Sequence, residues 1–65
     1  MKLTIEVNKI KQKLIKKAEN KGIYENFGQK EFRYLMDKYG ENFYNDAELR
    51  RELIAFDNWA MNYEG

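Results

Sequence analysis

The chain has 65 residues and nearly balanced charge, with 12 basic side chains, 11 acidic side chains, and neither cysteine nor histidine. A chain of this length is expected to form one domain, residues 1–65, that buries about 60% of its unfolded surface. Disulfides and zinc bound by thiolate or imidazole are excluded, and because residues 53–56 form the longest apolar run, a membrane span is excluded too.

The first predicted helix covers residues 4–21. Its apolar residues recur every three or four positions and fall within an arc of about 80° on a helical wheel; they are Leu3, Val7, Ile10, Leu14 and Ala18. Gly22 is expected to end this helix in the left-handed conformation. Residues 2–7 also alternate between polar and apolar side chains, as a strand does. A strand is therefore the alternative here, although a lone strand would lack a pairing partner.

The second predicted helix covers residues 28–39 and follows a turn, residues 23–27, whose aromatic side chains are expected to point inward. Asn26 and Gln29 have the three-residue spacing of a capping box. Gly40 is expected to stop the helix in the left-handed conformation. The apolar stripe of this helix consists of Phe32, Leu35, Met36 and Tyr39.

The third predicted helix covers residues 46–63, with Asn45 as its N-cap and Glu48 completing a second capping box. Its apolar stripe also repeats every three or four residues, with Trp59 on the flank; the stripe contains Leu49, Leu53, Phe56, Ala60 and Tyr63. Because the three helices are joined by connections of about five residues, the expected fold is an all-α three-helix bundle with antiparallel neighbours, as a monomer or a homodimer.

The side chains that usually carry nucleophilic catalysis are missing. The sequence has no serine, cysteine or histidine, and Thr4 is its only aliphatic hydroxyl. Glu48 and Glu52 lie four residues apart, but on a small helical domain such a pair is typical of a solvated face. The sequence therefore predicts a protein that is not an enzyme and needs no cofactor.

Residues 37–48 resemble the spacing of a calcium-binding EF-hand loop. Oxygen-bearing side chains occupy its first, fifth, ninth and twelfth positions: Asp37, Glu41, Asn45 and Glu48. However, Tyr39 and Asn42 stand at the third and sixth positions, where the motif requires an oxygen ligand and a glycine. No calcium site and no other metal site is predicted.

The charge is unevenly distributed, because residues 1–21 carry seven lysines and two glutamates whereas residues 22–65 are net acidic. Four lysines cluster within about 60° of the helical wheel, opposite the apolar arc. Such a row can follow nucleic-acid phosphates, but it offers neither arginine for bidentate base contacts nor an aromatic ring for base stacking. The nucleic-acid-binding candidates are Lys2, Lys9, Lys13 and Lys16.

Apolar side chains outside the buried stripes indicate a surface for binding another protein. On the third helix two such residues, seven positions apart, lie on another side of the helix from the stripe and have charged neighbours. Each of the other two helices has one further apolar or aromatic residue outside its stripe. Helical modules with spare apolar surface most often bind proteins. The protein-binding candidates are Ile54, Met61, Arg50, Asp57, Ile15 and Tyr34.

Three short segments, residues 25–31, 37–39 and 56–63, read ENFGQKE, DKY and FDNWAMNY. Their combination resembles small uncharacterised proteins of phages and mobile elements from AT-rich Gram-positive bacteria, over roughly residues 22–63. The resemblance implies an accessory role inside the cell, such as binding and modulating a host or phage protein. It carries over no functional residue.

The leading hypothesis is a small non-enzymatic cytoplasmic module that binds a protein partner. The alternative is a weak, sequence-tolerant nucleic-acid binder that uses the lysines of the first helix.

Overall fold

The computed structural model describes residues 2–23 and 26–63. Within these residues the chain forms three α-helices, α1 at Lys2–Lys21, α2 at Gln29–Tyr39 and α3 at Ala47–Met61, and a 3-10 helix at Gly40–Asn42. The predicted all-α three-helix bundle is confirmed, and each predicted boundary lies within two residues of the observed one. The alternative of a strand at residues 2–7 is wrong, because α1 is helical from Lys2 onward. None of the described helices is long and apolar enough to cross a membrane.

The helices alternate in direction, as the short connections predict. The side chains of Glu6 and Lys38 join the first turns of α1 to the last turn of α2, and so these helices are antiparallel. Thr4 donates a hydrogen bond of 3.0 Å to Glu52. Later along both helices Lys11 lies 5.3 Å from the ring centre of Trp59, and α3 therefore runs parallel to α1. The bundle measures 37 × 20 × 16 Å.

The core lies where the three apolar stripes meet. Each helix contributes fully enclosed residues, including Leu3 from α1, Leu35 from α2 and Phe56 from α3. The other buried side chains are Val7, Leu14, Phe27, Leu49, Leu53 and Ala60. The remaining predicted stripe residues pack partly buried around them, as does Trp59; they are Ile10, Ala18, Phe32, Met36, Tyr39 and Tyr63.

One aromatic side chain packs the turn between α1 and α2 against the end of the bundle. Phe27 is buried, stacks on Tyr63 with ring centres 5.1 Å apart, and lies 6.0 Å from Trp59. The prediction of an inward aromatic is thus confirmed for Phe27, while Tyr24 lies outside the described residues. Gly22 has a φ of +81° and ends α1 as predicted, with its N–H donating to Ala18.

The predicted capping box at the start of α2 is wrong. Gly28 is the N-cap residue, it has a φ of +81°, and no side chain caps the helix there. The reason lies in the packing of the turn against α3: a Cβ at Gly28 would lie only 2.5 Å from the Cβ of Ala60. The close approach and the positive φ both favour glycine, and Asn26 supplies only its backbone carbonyl, which accepts from the Gln29 N–H at 3.0 Å.

Two further terminal assignments differ from the sequence prediction. Gly40 has a φ of −60° and is right-handed, because the chain tightens into the 3-10 helix instead of leaving α2 through a left-handed residue. Asp46, and not Asn45, caps α3: its carboxylate accepts from the Leu49 N–H at 3.1 Å. Asp46 has the extended backbone that an N-cap residue adopts, so the predicted cap was displaced by one residue.

Candidate protein-binding surface

A groove of about 540 Å³ runs between α1 and α2. Its base is apolar, because Ile10 and Leu14 face inward from α1. Tyr34 of α2 forms part of one wall and is 50% exposed. Charged side chains make up the rest of the lining, and these are Glu6, Lys9, Lys13, Lys17, Lys30 and Glu31. We refer to this feature as the α1–α2 groove.

The lysines of the α1–α2 groove follow from the helical repeat. Lys9, Lys13 and Lys17 are four residues apart and so lie on one side of α1 over successive turns. Lys30 belongs to the first turn of α2, which the antiparallel arrangement brings opposite the later turns of α1. The basic character continues past this end of the groove into a second hollow of about 440 Å³, where Arg33 joins Lys17 and Lys30.

Glu6 and Lys38 form an ion pair and a hydrogen bond at the other end of the α1–α2 groove. The hydrogen bond from Lys38 lowers the pKa of the Glu6 carboxyl, and the same contact raises the pKa of the Lys38 ammonium. Burial and the neighbouring Glu6 raise the pKa of Tyr39. Because the pKa shifts of Glu6 and Lys38 both favour the charged form, the two groups are charged at neutral pH and their charges cancel. The four lysines of the lining then outnumber its one remaining acid, Glu31, and the groove is positive.

The four lysines predicted as nucleic-acid contacts are all exposed on α1, and two of them also line the α1–α2 groove. Lys9 and Lys13 line the α1–α2 groove, whereas Lys2 and Lys16 do not. Sequence reasoning missed Lys17 and Lys30. The four-residue step from Lys13 indicates Lys17, but only the packing of α2 against α1 brings Lys30 to the same groove.

The six predicted protein-binding residues also divide. Tyr34 lines the α1–α2 groove, while Ile54 and Met61 are 47% and 74% exposed on α3 and lie outside it. Ile15 and Asp57 are half-buried. Arg50 is half-buried as well; its guanidinium donates to the carbonyl oxygens of Phe43 and Tyr44 at 3.3 Å, which assigns it a part in holding the α2–α3 connection.

Other exposed apolar residues escaped the sequence analysis. Ile5 on α1 is 58% exposed, and Tyr44 between the 3-10 helix and α3 is 85% exposed. Ile5 belongs to the segment 2–7, and in the strand alternative it would lie on the same face as Leu3 and Val7. Once α1 is a helix, its core arc runs through Leu3 and Val7 and excludes Ile5, so this side chain faces solvent.

Residues 37–48 do not form an open loop. They complete α2, form the 3-10 helix and begin α3, and the Asp46 carboxylate is used to cap α3. Across residues 2–23 and 26–63, no three acidic side chains come close enough together to hold a metal ion.

The fold and the groove define a small all-α three-helix bundle with a basic, apolar-based groove on one face. Comparisons of the chain with protein-family models, with curated proteins and with solved structures returned no match. The resemblance to small phage and mobile-element proteins stays a prediction.

Proposed function

We propose that this protein is a small non-enzymatic binding module whose partner is another protein. The α1–α2 groove carries the proposal, because it combines an apolar base, an exposed aromatic wall and a charged rim. Protein interfaces have this composition, with apolar and aromatic side chains at the centre and polar side chains around them. The exposed pair Ile54 and Met61 on α3 offers a second apolar contact.

The distribution of polar groups supports a binding role over catalysis. All buried side chains in the described part of the chain are apolar. Catalytic acids, bases and nucleophiles usually lie in partly enclosed sites that perturb their pKa values. Here the hydrogen bond between Glu6 and Lys38 is the main cause of the pKa shifts of both groups, and burial is the main cause of the raised pKa of Tyr39. In the context that the resemblance implies, the partner is a host or phage protein.

A site-specific crosslinking experiment tests the proposal. A photoreactive phenylalanine derivative replaces Tyr34 in the groove, Ile54 on α3 or, as a control, Tyr44, which is 85% exposed but outside both surfaces. After irradiation in the cells that produce the protein, we expect a discrete adduct from Tyr34 that resists nuclease and is destroyed by protease. The absence of a protein adduct from both Tyr34 and Ile54 would contradict the proposal.

Nucleic-acid binding is the second candidate, and one structural observation favours it. Tyr34 lines the same groove as Lys9 and Lys13, and so a ring able to stack on a base lies beside lysines able to contact phosphates. The sequence alone had placed no aromatic on the lysine face. Against this candidate, residues 22–65 are net acidic and repel phosphate.

A salt titration separates the two candidates. A nucleic-acid complex should weaken with salt, with a log–log slope of roughly −0.7 per phosphate contact for a single strand, and replacing Lys9, Lys13 and Lys16 with Glu should abolish it without unfolding the chain. We expect little binding of the wild-type protein to a labelled oligonucleotide at physiological salt. Submicromolar binding at physiological salt would make nucleic acid, and not a protein, the favoured partner.

A further inference from the structure

We propose that the α1–α2 groove binds an acidic amphipathic helix of a partner protein, an inference that rests on the proposed function and specifies the chemistry of the partner. Three properties of the groove support this occupant: its apolar base, its basic rim on α1 and its length.

The apolar base selects for apolar side chains. Leu14 is enclosed by the core, Ile10 is half-buried, and the half-exposed ring of Tyr34 stands beside them. A ligand that covers Ile10 and Tyr34 removes apolar surface from water, which is favourable only if the ligand itself presents apolar groups. A nucleic acid matches the lysines with its phosphates and Tyr34 with a stacked nucleobase, but it has no aliphatic side chain to pack on Ile10. The apolar base of the groove therefore favours a peptide over a nucleic acid.

The charge of the groove selects for a negatively charged ligand. Lys9, Lys13 and Lys17 form a basic rim on α1, while Lys30 and Glu31 on the α2 side offset each other. An apolar stripe with carboxylates along the flank that faces α1 complements this arrangement, and such a stripe is typical of an amphipathic helix with an acidic side. Since the groove lysines are exposed, they contribute mainly to the rate and selectivity of association.

The length of the groove sets the size of the contact. Lys9 and Lys17 are eight residues apart on α1, which corresponds to about 12 Å at 1.5 Å per residue. A bound helix of two to three turns spans this distance and inserts two or three apolar side chains spaced three or four residues apart.

A second copy of this chain does not match the groove. The exposed apolar residue Ile54 of α3 has the basic residues Arg50 and Arg51 on either side of it around the helix, against the single acid Asp57 near it, and the arginines would face the groove lysines. The exposed face of α1 carries lysines, and the first half of α2 carries Lys30 and Arg33. The occupant is therefore a helix of a different protein.

A designed peptide serves as the probe. It is a labelled peptide of about 14 residues, four helical turns, with leucines along one stripe and glutamates beside that stripe. A scrambled peptide of the same composition breaks the stripe but keeps the charge, and a single-stranded oligothymidylate of equal net charge represents a nucleic acid. Binding is measured by fluorescence polarisation, and amide chemical shifts locate the contact. We expect the striped peptide to bind at least about tenfold more tightly than either control, with shifts centred on Ile10 and Tyr34.

Two double variants give a matched comparison, because each reverses two exposed lysines and changes the net charge equally. Lys13→Glu with Lys30→Glu alters the groove, and Lys16→Glu with Lys21→Glu alters α1 outside it. The groove variant should lose at least about tenfold in affinity for the striped peptide, whereas the other should lose less than about threefold. Circular dichroism verifies that both remain helical.

Four results would overturn the inference: equal binding of the striped and scrambled peptides, equal losses for the two double variants, tighter binding of the oligonucleotide, or a homodimer that the groove variant dissociates. These results are distinct from a failure of the proposed function. If the peptide fails but a crosslinker at Ile54 captures a protein, the protein-binding role stands and its surface is on α3.

Discussion

Gly28 of the α1–α2 turn packs against Ala60 of α3, so closely that a side chain at Gly28 has no room. A Cβ added to Gly28 would lie 2.5 Å from the Cβ of Ala60, and Leu14 of α1 lies 3.9 Å from the same position. Because α2 begins at the next residue, this contact fixes where the first turn of α2 starts. It thereby positions Lys30 and Glu31 in the α1–α2 groove.

Replacing Gly28 with Ala should destabilise the protein more than replacing Gly22 with Ala. Both glycines have a φ of +81°, but the space around Gly22 is open. Gly22→Ala therefore costs only the left-handed backbone strain, about 1–2 kcal/mol. Gly28→Ala adds overpacking against Ala60, typically about 1–3 kcal/mol more. Urea unfolding of the two variants measures the difference.

A double-mutant cycle identifies the source of that difference. Adding Ala60→Gly to Gly28→Ala removes the opposing methyl group, so the two substitutions together should cost less than the sum of their separate effects, by about 1 kcal/mol or more. Equal losses for Gly22→Ala and Gly28→Ala, or strict additivity in the cycle, would contradict the contact.

Asp46 should contribute to stability as the N-cap of α3, and Asn45 should not. Asp46→Ala removes the acceptor of the Leu49 N–H and should cost about 1 kcal/mol. Asn45→Ala is the matched control, because Asn45 is exposed and precedes the cap; its effect should stay within about 0.5 kcal/mol. Thermal melts of both variants test the assignment. A larger loss of stability for Asn45→Ala than for Asp46→Ala would show that Asn45 is the N-cap, as the sequence predicted.

The Glu6–Lys38 pair should make stability depend on pH. The folded-state pKa of Glu6 is lowered, so its contribution is present above the ordinary glutamate pKa and is lost as pH falls through the lowered value. The folded-state pKa of Lys38 is raised, so its contribution is present below the ordinary lysine pKa and is lost as pH rises through the raised value. The pair therefore stabilises the protein most between about pH 5 and pH 10.

Glu6→Gln tests this pH dependence. The urea midpoint of the wild type should exceed that of Glu6→Gln at neutral pH, and the gap should close in acid and shrink with added salt. Glu19→Gln, an exposed position on the same helix, is the control and should show a smaller gap at neutral pH. A gap for Glu6→Gln that stays constant from neutral to acidic pH would show that the pair is not responsible.

Buried and exposed positions of α3 should differ in their effect on stability. Phe56 is fully buried, and Phe56→Ala should cost about 3–5 kcal/mol, enough to unfold a domain of this size. Ile54→Lys with Met61→Lys alters only exposed side chains and should change stability by less than about 1 kcal/mol. Circular dichroism during urea titration compares them. Unfolding of the double lysine variant would show that Ile54 and Met61 support the core.

Helical periodicity alone determined the fold class, the three helices and most of the core. Leu3, Val7 and Leu14, for example, are buried as their spacing predicts, because an amphipathic stripe has one energetically favourable orientation in a bundle. The exposure of Ile54 and Met61 followed from the same wheel. These features depend on side chains three and four residues apart, and this spacing can be read directly from the sequence.

Only the tertiary structure decided how α2 begins and where the groove forms. Gly28 replaces a capping box because Ala60, 32 positions later in the chain, leaves no room for a side chain. Arg50, predicted to edge a binding surface, instead donates to carbonyls of the preceding connection. Lys30 and Tyr34 line the same groove as Lys13 only because α2 runs antiparallel to α1. A binding surface built from two helices depends on contacts between distant segments, and no local spacing rule encodes them.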